Sequence, residues 1–461
     1  MNRLNRLTES PRLVVWLGLF VFMYAWLASL LLQLWIIPTL FLQPGAEKGL
    51  VILDSIGFDR QSKAHAASIS TLGWSAWELR HQGQAPVGIA SVFYVLFGPT
   101  PASMLPFNAA IHAISTCVAI LILRGFFTSV PALVGALLFA LNPASFEWVA
   151  QIHRDGIFIL GNLLLILGIL RLIDGPEPDA ERMKAWYWLG WVLAPLAGTF
   201  LIWVARPYWV QVALITLVLA VVTVTLTNLI FRMNAGHRLA CFAGTVFLVG
   251  LFQLWLIRFH TPQEPIIIPE YASQTDLTGS DESSSEEAAK KSGFLWRRTV
   301  WLPSEVEGRL YRIATARLGA ISQGGNSLVD ADWRLDSVGS VLAYLPRALQ
   351  LGLFSPFPKL WGGEGSTPAM TVARKVVGAV TLVFYVCLLG LLFGLWRLRK
   401  NLSLWVMIGA CLTGILVYAV TYPNIGTLIR YRYGFYMLLI GFGAAWWCEQ
   451  WIKRTDRSNK E

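Results

Sequence analysis

Asp54, in LDSIGFD, and Asp155, in HRDGIF, are the acidic residues of this chain best suited to handle a proton. Arg154, Arg206, Arg430 and Arg432, in HRDGIF, VARPYW and LIRYRYGF, are the basic residues best suited to hold an anion. A carboxylate beside a hydroxyl accepts its proton as the oxygen attacks. A guanidinium donates two parallel hydrogen bonds to phosphate oxygens. The set therefore supports acid–base chemistry on an anionic substrate, with Asp155 orienting a substrate or holding a divalent metal ion.

Each of these residues also has a plainer use. Asp54 followed by Ser55 is a helix-capping pattern. Asp59 and Lys63 stand at i,i+4 and make a surface pair. Arg154 can pair with Asp155, and Arg430 and Arg432 bracket the start of an apolar run, where arginines reach toward headgroups. His153 reads as structural, Glu147 as interfacial and His112 as a buried hydrogen-bonding residue.

The elements that must position them are membrane helices. Of 461 residues, 55% are hydrophobic and 14% charged, against about 25% charged in a soluble domain. A span needs about 20 apolar residues. The runs that qualify are 13–37, 103–123, 129–147, 156–173, 185–204, 208–230, 239–257, 372–396, 403–421 and 433–451. The expected fold is an all-α polytopic membrane protein of about ten transmembrane helices. Ala85–Gly98 reaches only about 21 Å as a helix and is read as interfacial.

Charge parity agrees with that count. With an inside N-terminus, one side of the membrane collects Arg124, then Arg171, Arg182 and Lys184, then Arg232 and Arg238, then Arg397, Arg399 and Lys400. The tail adds Lys453, Arg454, Arg457 and Lys460 to the same side. That is the positive-inside pattern, with both termini cytoplasmic in a bacterial inner membrane. It also accounts for the net charge of +10 through cytoplasmic loops and anionic lipid, not nucleic acid.

Three regions follow: 1–258 with a first outer loop at 38–102, a large periplasmic segment at 259–371, and C-terminal helices with a basic tail at 372–461. Within the second region, 279–292 is low-complexity and expected to be disordered, while 341–361 is expected to lie along the outer surface. The five cysteines fall in apolar runs without metal-like spacing. No internal repeat is visible.

In this topology Asp54, the 147–155 stretch, Arg206 and Arg430/Arg432 share one depth on the outer side. Ionisable groups at membrane depth are costly unless paired or functional, and four separate stretches converge there.

The order of these motifs resembles a known family. A first span is followed by LDSIGFD, GQAPVGIASVFYVLFG, a span pair joined by LRGFF, and NPASFEWVAQIHRDGIFIL. Over about 50–175 this is similar to the GT-C membrane glycosyltransferases, especially bacterial relatives of protein O-mannosyltransferases and aminoarabinose transferases. The resemblance implies a polyprenyl-phosphate-linked sugar as donor and a glycan, lipid or protein as acceptor. It implies Asp54 as catalytic base or metal partner and Asp155 as the second acidic residue. It implies Arg206, Arg430 or Arg432 as the holder of donor phosphate, with Arg154, from its place beside Asp155, as that residue's partner or a further phosphate contact. The pattern departs from the family where Asp54-Ser55 replaces an Asp-Glu pair and where GQAPVG lacks a lysine. A lipid-linked polysaccharide polymerase, a transporter and a non-catalytic assembly subunit are the alternatives.

Overall fold

The computed structural model describes residues 11–41, 44–174, 184–231, 236–260, 294–324, 327–363 and 368–458. The low-complexity stretch 279–292 and the loop residues Arg182, Arg232 and Lys460 lie outside them. All ten expected runs are helical. Among the described residues, six helices are long and apolar enough to cross a membrane, or seven if one bent pair is a single span. Two of the other expected runs lie in helices Lys184–Ala205 and Gly236–His260, which are 22 and 25 residues long and whose first residues have side chains outside the described set. The last helix, Ile425–Ser458, is diluted by Arg430, Arg432 and a charged C-terminal turn.

The run 129–147 does not form one straight span. Helix Ser129–Leu141 stops at Asn142, and the chain resumes at Pro143–Val149 bent by 50°. Proline disfavours helical backbone in the residue before it, and Asn142 is accordingly extended, with its side chain accepting from Ala144 N–H. The bend leads into the irregular stretch 150–154, which carries His153.

The chain divides into two compact units. The first comprises Met1–Thr261, Val383–Cys411 and Gly434–Glu461. We label its helices α1 (Pro11–Leu31, continued to Leu40), α2 (Leu53–Leu72), α3 (Ala85–Phe97), α4 (Leu105–Leu123), α5 (Asp155–Asp174) and α6 (Lys184–Ala205). Helix α5 is buried on nearly every side, as expected of a helix that is apolar all round. It meets α6 at small residues: a Cβ on Gly161 would come within 2.8 Å of the Gly198 carbonyl, and one on Gly198 within 2.5 Å of the Gly161 carbonyl. Small residues let two membrane helices approach backbone to backbone. Helix α3 packs on α2 through Val87, Ala90 and Tyr94 against Phe58 and Ala66. It is a short apolar helix, as its length predicts.

The second unit comprises Pro262–Leu382 and Leu412–Tyr433. Its helix α7 (Val338–Phe354) starts with a reciprocal Ser337/Ser340 capping box. Arg432 donates to the carbonyls of Leu351, Gly352 and Ser355 at its other end. Within α7, Arg347 makes a forked pair with Asp330, which precedes the helix (Nε–Oδ2 2.8 Å, Nη2–Oδ1 3.0 Å), and Tyr344 donates to Oδ2 at 3.1 Å.

Burial pulls the Asp330 carboxyl upward, but Arg347, Tyr344 and Arg317 outweigh it and leave the pKa below its ordinary value. A depressed folded pKa contributes stability above the unfolded value, about 3.9, that is lost as pH falls through the folded one. Hydrogen-exchange protection of peptides in 327–354 is expected to drop below about pH 4. Asp330→Asn should remove that acid limb and lower protection at neutral pH. Unchanged pH dependence in this variant would show that Asp330 does not set it.

Candidate active site

Asp54 and Asp155 each lie in the first turn of a helix, α2 and α5, where the unpaired N–H groups favour a negative charge. Asp54 is not the cap of α2: that position is Ile52, which makes no side-chain cap. The two carboxylates are joined by a residue that reads as structural in the sequence, His153. Its Nε2 stands 3.8 Å from Asp54 Oδ2 and its Nδ1 3.1 Å from Asp155 Oδ2. The backbone N–H of Asp155 donates to Nδ1 at 3.3 Å, while Nε2 faces Asp54 from beyond hydrogen-bond distance. Asp155 is paired in turn with Arg206, whose guanidinium lies over the Phe158 ring at 4.7 Å.

Exposure falls along this row. The Asp54 side chain is 50% exposed, His153 1%, Asp155 2% and Arg206 0%. One carboxylate meets solvent, and a buried imidazole, carboxylate and guanidinium stand behind it. The partner of Asp155 is therefore Arg206, 51 residues away, and not its neighbour Arg154. Arg154 turns aside and donates to Gln84 Oε1 at 3.4 Å.

The row is held by polar side chains on apolar helices. Asn108 of α4 donates its Nδ2 to the carbonyls of Trp148, Val149 and Gln151, the last at 2.7 Å. Gln33, in a π-helical turn that follows α1, donates to the Ala150 carbonyl at 3.0 Å. Gln151 accepts from Val51 N–H and donates to the Gly49 carbonyl, and Ser55 donates to the Ile152 carbonyl. These bonds tie the segment before α2 to the segment before α5, so both acids keep one register. Asn108→Ala is expected to remove a donor shared by three carbonyls, of which that of Trp148 keeps the Gln151 N–H, and to cost about 1–3 kcal/mol. Thermal unfolding in detergent checks this, and a variant as stable as the parent would mean that the loop is held elsewhere.

Asp59 is also unlike a surface residue. It is buried, accepts from Tyr94 at 2.6 Å and pairs with Lys63 at 2.8 Å, so it pins α2 to α3. Burial, then Asp59, pushes the Tyr94 hydroxyl pKa well up, and Tyr94 remains a donor.

Residues 85–200 of this chain match the dolichyl-phosphate-mannose-protein mannosyltransferase family. That match covers about a quarter of the chain and makes this stretch similar to a family of membrane glycosyltransferases. No curated protein and no solved structure matches the chain. The matched stretch contains His153, Arg154 and Asp155, while Asp54 and Arg206 fall outside it.

Of the six residues singled out from sequence, Asp54, Asp155, Arg154 and Arg206 belong to the first unit. Arg430 and Arg432 belong to the second. Arg430 lies against its neighbour Tyr431, 4.9 Å from the ring centre, and Arg432 caps α7. Among the described residues no group of three or more His, Cys, Asp or Glu side chains could hold a metal ion. His153 had one sequence signal, its place directly before Arg154-Asp155. Asn108 and Gln33 had only their polarity within apolar runs.

Proposed function

We propose that this protein is a membrane glycosyltransferase of the GT-C type that moves a sugar from a polyprenyl-phosphate-linked donor to a hydroxyl acceptor, at the outer face of a bacterial cytoplasmic membrane. Both termini are on the cytoplasmic side. The acceptor is a glycan, lipid or protein that arrives from the aqueous side. The reading rests on one observation: a half-exposed carboxylate, Asp54, backed by the buried row His153, Asp155 and Arg206.

Asp54 takes the acceptor proton as the hydroxyl oxygen attacks the anomeric carbon. His153 faces the carboxylate through Nε2, 3.8 Å away, and is a positioning residue. Asp155 steadies the ring from its Nδ1 side, and Arg206 supplies the counter-charge to Asp155 in an apolar setting. The anomeric carbon–oxygen bond breaks with its electron pair going to the lipid phosphate, so no strong general acid is required. Attack opposite that leaving group inverts the anomeric centre. Arg154 is the arginine of this unit that contacts donor phosphate. Arg206 acts through Asp155, and Arg430 and Arg432 have no part in this scheme.

The test is transfer by the purified protein in liposomes, supplied with synthetic prenyl-phosphate sugars and a panel of hydroxyl acceptors. A product of inverted anomeric configuration, read by nuclear magnetic resonance, supports the scheme. Retention would rule out single displacement. Joining of two lipid-linked glycans, with no transfer from a prenyl-phosphate sugar, would make the protein a polymerase.

A further inference from the structure

Arg80 and Arg154 face the same short turn without a counter-charge. Arg80 donates through Nη2 to the Gly83 carbonyl at 3.0 Å, and Arg154 donates through Nη1 to the side chain of the next residue, Gln84, at 3.4 Å. Arg80 also lies over the Trp203 ring, 5.3 Å from its centre, which places it on the α6 turn just before Arg206. Both arginines are half-buried, and the Nε of each is buried without a hydrogen-bond partner. Neither has a carboxylate within ion-pair distance among the described residues: Asp155 is paired with Arg206, and Glu78 faces His81 at 3.5 Å. Burial, then the Arg154 charge, holds the Arg80 pKa below its usual value. Two unneutralised guanidiniums at the edge of a low-dielectric region are a cost that a bound anion removes.

The reaction proposed above changes the charge of the phosphate. The sugar-linked donor is a phosphodiester with one negative charge. When the carbon–oxygen bond breaks, the departing lipid phosphate keeps the electron pair and becomes a monoester dianion, while the acceptor proton passes to Asp54. One guanidinium matches the donor, and two match the leaving group. An interaction that strengthens as charge develops accelerates the chemical step.

We propose that Arg80 and Arg154 form a two-guanidinium subsite that binds the phosphate monoester dianion of a lipid in preference to the phosphodiester. The proposal rests on the donor class inferred above, and it adds Arg80 as a residue that contacts the leaving group.

The test is direct binding to the purified protein in zwitterionic nanodiscs at pH 8, with farnesyl phosphate and its methyl diester as probes. The monoester should bind about tenfold more tightly, the equivalent of one charge-assisted hydrogen bond. Arg80→Gln should weaken the monoester about tenfold and leave the diester nearly unchanged, whereas Arg154→Gln, which removes the donor contact, should weaken both probes and abolish the monoester preference. Arg80→Lys, which keeps the charge and loses the fork, should retain part of the preference. Equal affinity for the two probes, or unchanged affinity in both glutamine variants, would overturn the proposal. So would displacement of farnesyl phosphate by phosphatidylglycerol, since that would make this a headgroup site. Because the readout is binding, it separates from the transfer assay: monoester preference lost in both arginine variants, with Asp54→Asn still binding farnesyl phosphate, supports the subsite whatever the acceptor.

Discussion

Asp54→Asn is expected to lower sugar transfer by about 10²–10⁴-fold, the usual contribution of a positioned general base. Inserted protein should remain near the parent level. The variant keeps the shape of the side chain and removes its ability to take a proton. Asp54 is 50% exposed and is not the α2 cap, and the lost helix-terminus charge costs about 0.3–1 kcal/mol. The effect should appear in kcat and not in donor binding. Asp54→Glu, longer by one methylene and displaced from His153, should recover a fraction of the rate. Full transfer by the asparagine variant, at normal protein level, would remove Asp54 as the base. An assembly-subunit role would then become the better reading.

The second large effect is expected at the buried pair behind it. Arg206→Met leaves Asp155 without its counter-ion in an apolar interior, and Asp155→Asn leaves a lone buried guanidinium. Breaking one side of such a pair costs about 3–5 kcal/mol, enough to reduce folded protein severely. Replacing both together, Asp155→Asn with Arg206→Met, removes both charges and should restore most of the stability. Transfer should not return with it, because His153 then lacks the carboxylate 3.1 Å from its Nδ1. Thermal unfolding and transfer measured on the three variants give the answer. A double variant that is both stable and fully active would show that the pair serves folding alone.

Several features of the site were legible from residue order. The short apolar run at 85–98 could not span and is a short helix packed on α2. The Asn142-Pro143 pair marks where a helix must break, although the run 129–147 reads as continuous by composition. Asp54 and Asp155 both sit where a helix begins, after a segment that interrupts an apolar run.

Other features depend on distant contacts. His153 is an ordinary histidine until α2 brings Asp54 to one side of it and α5 brings Asp155 to the other. Asp155 has an arginine next to it in sequence and pairs with a different one, because the close glycine contact of α5 and α6 carries Arg206 alongside. Arg432 looks like a phosphate ligand in NIGTLIRYRY, yet its donors go to the carbonyls ending α7.

The sequence by itself determined that this is a helical membrane protein and where its helices run. Transfer of a segment from water to lipid is a local sum over its residues, and backbone hydrogen bonding within apolar surroundings leaves only the helix for such segments. Only the tertiary structure decided which ionisable groups meet. A buried charge takes the partner that packing brings within a few ångströms, and that choice is made between helices by the fit of small residues and buried amides, not by neighbours along the chain.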